Sequence, residues 1–140
     1  MSRRTIAVAA ALSLFALGSP LITGCTNPLE TQYLNQGVEK HKAGNYQGAI
    51  DDWSKAIEIN PQHANAYINR SNTKLKLGDN EGALQDSNKA IEIDPSSSFA
   101  YMNRGISREL VNDLKGACDD WRKAAGLGLK KPAEWVNKQC

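Results

Sequence analysis

Apolar and small positions recur along this chain at a spacing of 34 residues. Tyr33, Tyr67 and Tyr101 form one column; Ala49, Ala83 and Ala117 a second; Ala56, Ala90 and Ala124 a third. Trp53, Ser87 and Trp121 form a fourth, and Asn35, Asn69 and Asn103 a polar one. A unit of this length holds two short helices, and such units stack so that each touches only its neighbours. Breaks in the pattern place the helices. Gly44-Asn45, Gly78-Asp79 and Asn112-Asp113 are turns within units, since Gly or Asn suits the left-handed position after a helix. Asn60-Pro61 and Asp94-Pro95 end units, because the residue before proline resists helical geometry. The predicted helices are 30–43 and 47–59, 64–77 and 81–93, then 98–111 and 115–125, with Gly126 and Gly128 terminating the last. A short helix then runs from Pro132 to Gln139, proline being suited to a first helical position.

With Glu30, Ala64 and Ser98 as position 1, Tyr falls at position 4 and Gly37, Ser71 and Gly105 at position 8. Ala falls at 20 and 27, Trp at 24, and Pro61 and Pro95 at 32. This pattern resembles the tetratricopeptide repeat (TPR) family. The resemblance covers residues 30–131, as units 30–63, 64–97 and 98–131, with 132–140 left as a cap. It implies an all-α, right-handed solenoid of three helix-turn-helix units plus a C-terminal capping helix. Two departures stand out. Position 11, usually Tyr, is Lys40, Lys74 and Arg108, and position 24 of the second unit is Ser87. The closing helix, with Trp135 and Val136, is the expected cover for the third unit, because a terminal repeat cannot bury its outer face alone.

The N-terminus has a different character. Arg3 and Arg4 precede an apolar run from Ile6 to Leu17, too short to span a bilayer as a helix but suited to an export signal. The end of this segment, Leu21-Ile22-Thr23-Gly24-Cys25, resembles a bacterial lipobox. That resemblance implies removal of residues 1–24, diacylglycerol on the Cys25 sulfur, and acylation of the new N-terminus. Residues 25–29 would form a short tether, placing the domain close to the exported face of a bacterial membrane. Candidates are the periplasmic face of the outer membrane or, for a cyanobacterial protein, of the plasma or thylakoid membrane. The Tyr101 to Gly105 segment resembles TPR proteins common in cyanobacteria.

Three cysteines in an exported chain leave one over. If Cys25 is lipidated, Cys118 and Cys140 remain, as a disulfide or as two thiols. Export permits oxidation. A bridge would staple the last helix to the third unit and stabilise by about 3 kcal/mol on a chain-entropy argument.

Charge narrows the function classes. The formal charge is +2, but discounting Arg3 and Arg4 leaves 15 basic against 15 acidic residues. A neutral mature chain lacks the basic footprint that nucleic acid requires. Within the repeats, Asp51–Lys55 and Asp119–Lys123 have helical ion-pair spacing. Asp52, Asp86 and Asp120 recur at position 23, and Arg70 and Arg104 at position 7. Pairing each Asp with the Arg of the next unit predicts Asp52–Arg70 and Asp86–Arg104 bridges. Adjacent aspartates on a helix point about 100° apart and do not converge on a ligand.

No nucleophile, phosphate-loop or metal-hydrolase motif is present. The expectation is a non-enzyme without cofactor, metal or small-molecule substrate. His41 and His63 are read as ordinary surface residues. What remains is the concave face, which in the family resembled is lined by the first helix of each unit. Here it would offer Leu34, Asn35 and Val38, then Ile68, Asn69 and Asn72, then Phe99, Met102, Asn103 and Ile106. An amide ladder beside an apolar stripe suits an extended peptide or a partner helix. The basic clamp by which some TPR cochaperones hold a C-terminal carboxylate is missing, because Leu34, Val38 and Phe99 occupy its columns. Two readings follow: a membrane-anchored adaptor that holds a protein or peptide partner during assembly of an envelope or membrane complex, or an accessory subunit docking one folded enzyme.

Overall fold

A computed structural model describes residues 27–140. The export segment, Cys25 and the lipidation expected there lie outside the described residues. Seven helices follow in order: α1 (Pro28–Lys42), α2 (Tyr46–Ile59), α3 (Ala64–Leu77), α4 (Asn80–Ile93), α5 (Ser98–Leu110), α6 (Leu114–Gly126) and α7 (Lys130–Gln139). Consecutive helices pack antiparallel, giving three hairpins stacked as a right-handed α-solenoid and closed by α7 against α6.

Helix ends follow local chemistry. Asn45, Asp79 and Asp113 accept hydrogen bonds from the backbone N–H of Gly48, Gly82 and Gly116, capping α2, α4 and α6. Gly44, Gly78 and Asn112 take φ of 78°, 78° and 66°, the left-handed turn expected of them. Two ends differ from expectation. Asn27 caps α1 through Leu29 N–H, so Pro28 and Leu29 belong to the helix and not to a tether. Gly126 is the last residue of α6, and the left-handed position falls at Gly128, with α7 starting at Lys130.

Alanines make the core thin. Ala49, Ala56, Ala83, Ala90, Ala117 and Ala124 are fully buried, so paired helices approach closely. Position 8 and position 24 then trade volume across each hairpin. A Cβ on Gly37 would lie 2.5 Å from the Trp53 indole, and one on Gly105 would lie 2.4 Å from Trp121. In the second hairpin Ser71 and Ser87 instead share a 2.7 Å hydrogen bond, and the Ser71 hydroxyl also lies within bonding distance of the Ala83 carbonyl. The departure at Ser87 is therefore half of a matched pair.

The ion pairs correct the predicted bridges. Arg70 donates twice to Asp86 and Arg104 twice to Asp120, each within its own repeat. The inter-repeat bond goes elsewhere: Arg70 reaches Ser54, and Arg104 reaches Asn88, both on the preceding unit. Gln36 has no preceding unit to bridge. Position 11 completes the cluster, with Lys40 on Asp52, Lys74 on Asp86 and Arg108 on Asp120 at 2.6, 2.9 and 2.8 Å. The family departure there supplies cations to a buried aspartate column. Burial opposes the charge on Arg70, but hydrogen bonding and attraction to Asp86 outweigh it and raise its pKa. The expected Asp51–Lys55 and Asp119–Lys123 pairs give way to other partners. Gln47 donates to Asp51, and Lys115 and Arg122 flank Asp119. Lys55 and Lys123 instead lie over the rings of Tyr33 and Tyr101.

Candidate functional site

Helix α3 touches both α1 and α5, which lines the three up on the inner side of the stack. Three hollows follow one another along this side. The first, about 170 Å³, is lined by Val38, His41, Lys42, Trp53, Asn69 and Asn72. The second, about 320 Å³, shares Asn69 and Asn72 and adds Asn65, Ile68, Phe99, Met102 and Asn103. The third, about 290 Å³, lies under α7 between Ile106, Glu109, Trp121, Trp135 and Gln139. Eight of the ten predicted groove residues line these hollows; Leu34 and Asn35 stand outside them. The only charged linings are Lys42 at one end and Glu109 at the other.

The amide ladder is not uniform. Asn35 is exposed and Asn69 half-buried, but Asn103 is only 3% exposed and donates its amide N–H to the Ile68 carbonyl. That bond ties α5 to α3, so Asn103 serves the stack, and Asn69 and Asn72 are the amides shared by the first two hollows. Beneath them runs a hydroxyl column that the sequence reading missed. Thr73 and Ser107, both fully buried, bond back to the Asn69 and Asn103 carbonyls. Their recurrence at position 10 was the available signal. Back-bonding of this kind satisfies a hydroxyl's donor when it is buried on a helix.

Neither histidine is an ordinary surface residue. His41 is half-buried, with Nδ1 2.8 Å from the Thr73 hydroxyl and its ring against Tyr46 and Trp53. His63 lies 2.6 Å from the buried Glu30 carboxylate, which also accepts from Asn60. Glu30 thereby latches the start of α1 to the loop before α3. Among the described residues no cluster of His, Cys, Asp or Glu could hold a metal ion.

At the far end α7 closes the third unit. Trp135 stacks at a tilt on Trp121, centroids 5.4 Å apart, and Pro132 is buried. Cys118 and Cys140 form a disulfide, their Cα atoms 5.8 Å apart. The bond joins the start of α6 to the end of α7, so the third hollow is roofed by a covalently held helix.

Comparisons agree with this architecture. A TPR repeat family profile matches residues 37–78, and a tetratricopeptide repeat profile matches residues 64–97. The TPR domain of Arabidopsis OM64 is 31% identical, over 79% of this chain and 92% of that one, with a TM-score of 0.76. The second TPR domain of human RPAP3, solved with the HSP70 peptide SGPTIEEVD, is 28% identical over 79% and 93%, with a TM-score of 0.74. The first TPR of Spaghetti (RPAP3), solved with the HSP90 peptide SRMEEVD, is 24% identical over 78% and 88%, with a TM-score of 0.75. No curated protein matches the chain. This chain belongs to the tetratricopeptide repeat family.

Proposed function

We propose that this protein is a membrane-anchored TPR adaptor that holds an extended, uncharged segment of a partner protein along α1, α3, α5 and α7. The observation that carries the reading is the row of hollows, apolar and amide-lined, with charge only at its two ends. Apolar side chains gain by leaving water in such hollows, and the amides of Asn69 and Asn72 can both donate to and accept from a peptide backbone. Related TPR domains solved with peptides have acidic ones, SRMEEVD and SGPTIEEVD. Here Leu34, Val38 and Phe99 stand in the columns where a carboxylate would need cations, and Asn103 is committed to Ile68. The partner segment therefore differs in chemistry from those peptides. Anchoring rests on the lipobox at Leu21–Cys25 and would hold the adaptor at the exported face of a bacterial membrane, where it serves assembly of a membrane complex.

The test places a photo-crosslinker at Met102 and, as control, at the convex residue Lys55. The expected result is capture of a defined partner at Met102 alone, undiminished by excess SRMEEVD peptide. Equal capture at both sites, no capture at Met102, or loss of capture with that peptide refutes the reading.

A further inference from the structure

Both edges of the solenoid expose three large apolar side chains, set among different arrangements of charge. On the edge where helices turn within units, Leu77, Leu110 and Leu114 lie among charges of both signs, Lys76 and Lys115 as well as Asp79, Glu81, Glu109 and Asp113. On the opposite edge lie the start of α1, the α2–α3 and α4–α5 loops, and the α6–α7 junction. There the corner made by the third unit exposes Phe99 by 54% and Leu127 by 38%, beside Lys130 and Lys131. Among the described residues neither lysine has an anionic partner within ion-pair distance, and the exposed Glu134, one turn on in α7, forms no ion pair with either. The one carboxylate in the neighbouring loop, Asp94, is held by the Ser96 hydroxyl and backbone N–H, which lower its pKa. Glu58 and Glu92 stand one residue inside the ends of α2 and α4, and Glu92 is held by Lys89 at 2.7 Å.

We infer that this corner is a membrane-contact surface for anionic lipid, seating Phe99 and Leu127 at the headgroup boundary with Lys130 and Lys131 on the phosphates. The inference rests on the proposed anchoring for its orientation. Only Thr26 and Asn27 separate Cys25 from Pro28, the first helical residue, a reach of about 10 Å when extended. An acylated Cys25 therefore holds the α1 start against the bilayer, and the whole loop edge with it. Leu29, 46% exposed at the first turn of α1, lies next to the anchor. Among the described residues no helix is long and apolar enough to cross a membrane, so the contact is interfacial. Unpaired lysines close to an anionic surface add attraction that falls off within a Debye length. The helices then stand upright on the membrane, and the hollows open sideways, along its surface.

The full chain is expressed in a bacterium that processes lipoproteins, and the intact mass of the product reads acylation of Cys25 on its own. Benzoylphenylalanine replaces Phe99 or Leu127 in turn, with Leu77 and Leu110 as equally apolar controls. The proteins are presented to vesicles of phosphatidylethanolamine and phosphatidylglycerol. The expected result is lipid adducts several-fold more abundant at 99 and 127 than at 77 and 110. K130Q/K131Q should reduce the adducts to the level seen on vesicles of neutral phosphatidylcholine. An unacylated product refutes the anchoring while the same vesicle assay still judges the corner. Equal adducts on both edges, insensitivity to the lysine pair, or adducts to protein in place of lipid overturns the inference.

Discussion

Asp86 shows how much rests on one side chain. Its carboxylate is almost fully buried, and both oxygens are taken by Arg70, with Lys74 a further 2.9 Å away. Removing one member of a buried ion cluster leaves uncompensated charge, which is more damaging than never having had the cluster. D86A is expected to destabilise by about 3 kcal/mol, read as a lower urea midpoint with unchanged slope. D52A, which releases only Lys40, should lose less. A second residue-scale prediction concerns volume. G105A places a methyl in the Trp121 indole and should destabilise by about 2 kcal/mol. In the second hairpin the swap is reciprocal: S87W alone should unfold or distort the unit, and S71G/S87W should recover much of the loss. Thermal melts of the single and double variants measure that coupling, and additive losses would contradict the pairing of positions 8 and 24.

At the scale of elements, α7 depends on its attachments. It is ten residues long, too short to be stable alone in water, and only Pro132 within it is buried. Trp135 against Trp121 and the Cys118–Cys140 bond are what fix it. The bridge closes 22 residues of sequence separation, which on chain entropy amounts to about 3 kcal/mol. C140S is expected to lower stability by about that amount and to speed hydrogen exchange across α7, with α1 to α4 unchanged. Because α7 roofs the third hollow, the same variant should weaken capture near Ile106 more than at Met102. Exchange protection that persists in α7 would show that the tryptophan contact alone suffices.

For the molecule as a whole, closure at both ends makes the solenoid finite. The outward positions of α1 are polar, with Gln32, Asn35, Gln36 and Glu39 all exposed, and α7 covers the other end. Three units suffice because neighbours share their interfaces: Ile57 of the first repeat and Ile68, Ile91 and Ile93 of the second pack against a core of Tyr67, Ala90 and Ala100, the last from the third. The groove and the proposed lipid-facing corner meet at Phe99, which lines the second hollow and is exposed at the edge. A partner held in the groove of the anchored protein would lie within reach of the bilayer surface, which suits a segment adjoining a membrane-embedded partner.

Much of this was legible in the sequence, because periodicity and punctuation act locally. The expected helix ends lie within two residues of those observed, set by Asn27, Gly44, Gly78 and Asn112 and by the breaks before Pro61 and Pro95. The alanine columns marked the close packing, and the cysteine count pointed to the bond between Cys118 and Cys140. Pairing across space was not legible. Residues 16 apart meet both within one hairpin, as Arg70 and Asp86 do, and across successive units, as Ser54 and Arg70 do, so spacing alone could not assign Arg70 to Asp86 over the preceding unit. The same ambiguity hid the commitment of Asn103 to Ile68 and the latch from Glu30 to His63. Residue order alone specifies the repeat, its helices and its small-residue seams, since these depend on a residue and its near neighbours. Which charges pair, which amides line the hollows, and how the hollows follow one another emerge only with the stacking, since these depend on the angle at which one hairpin meets the next.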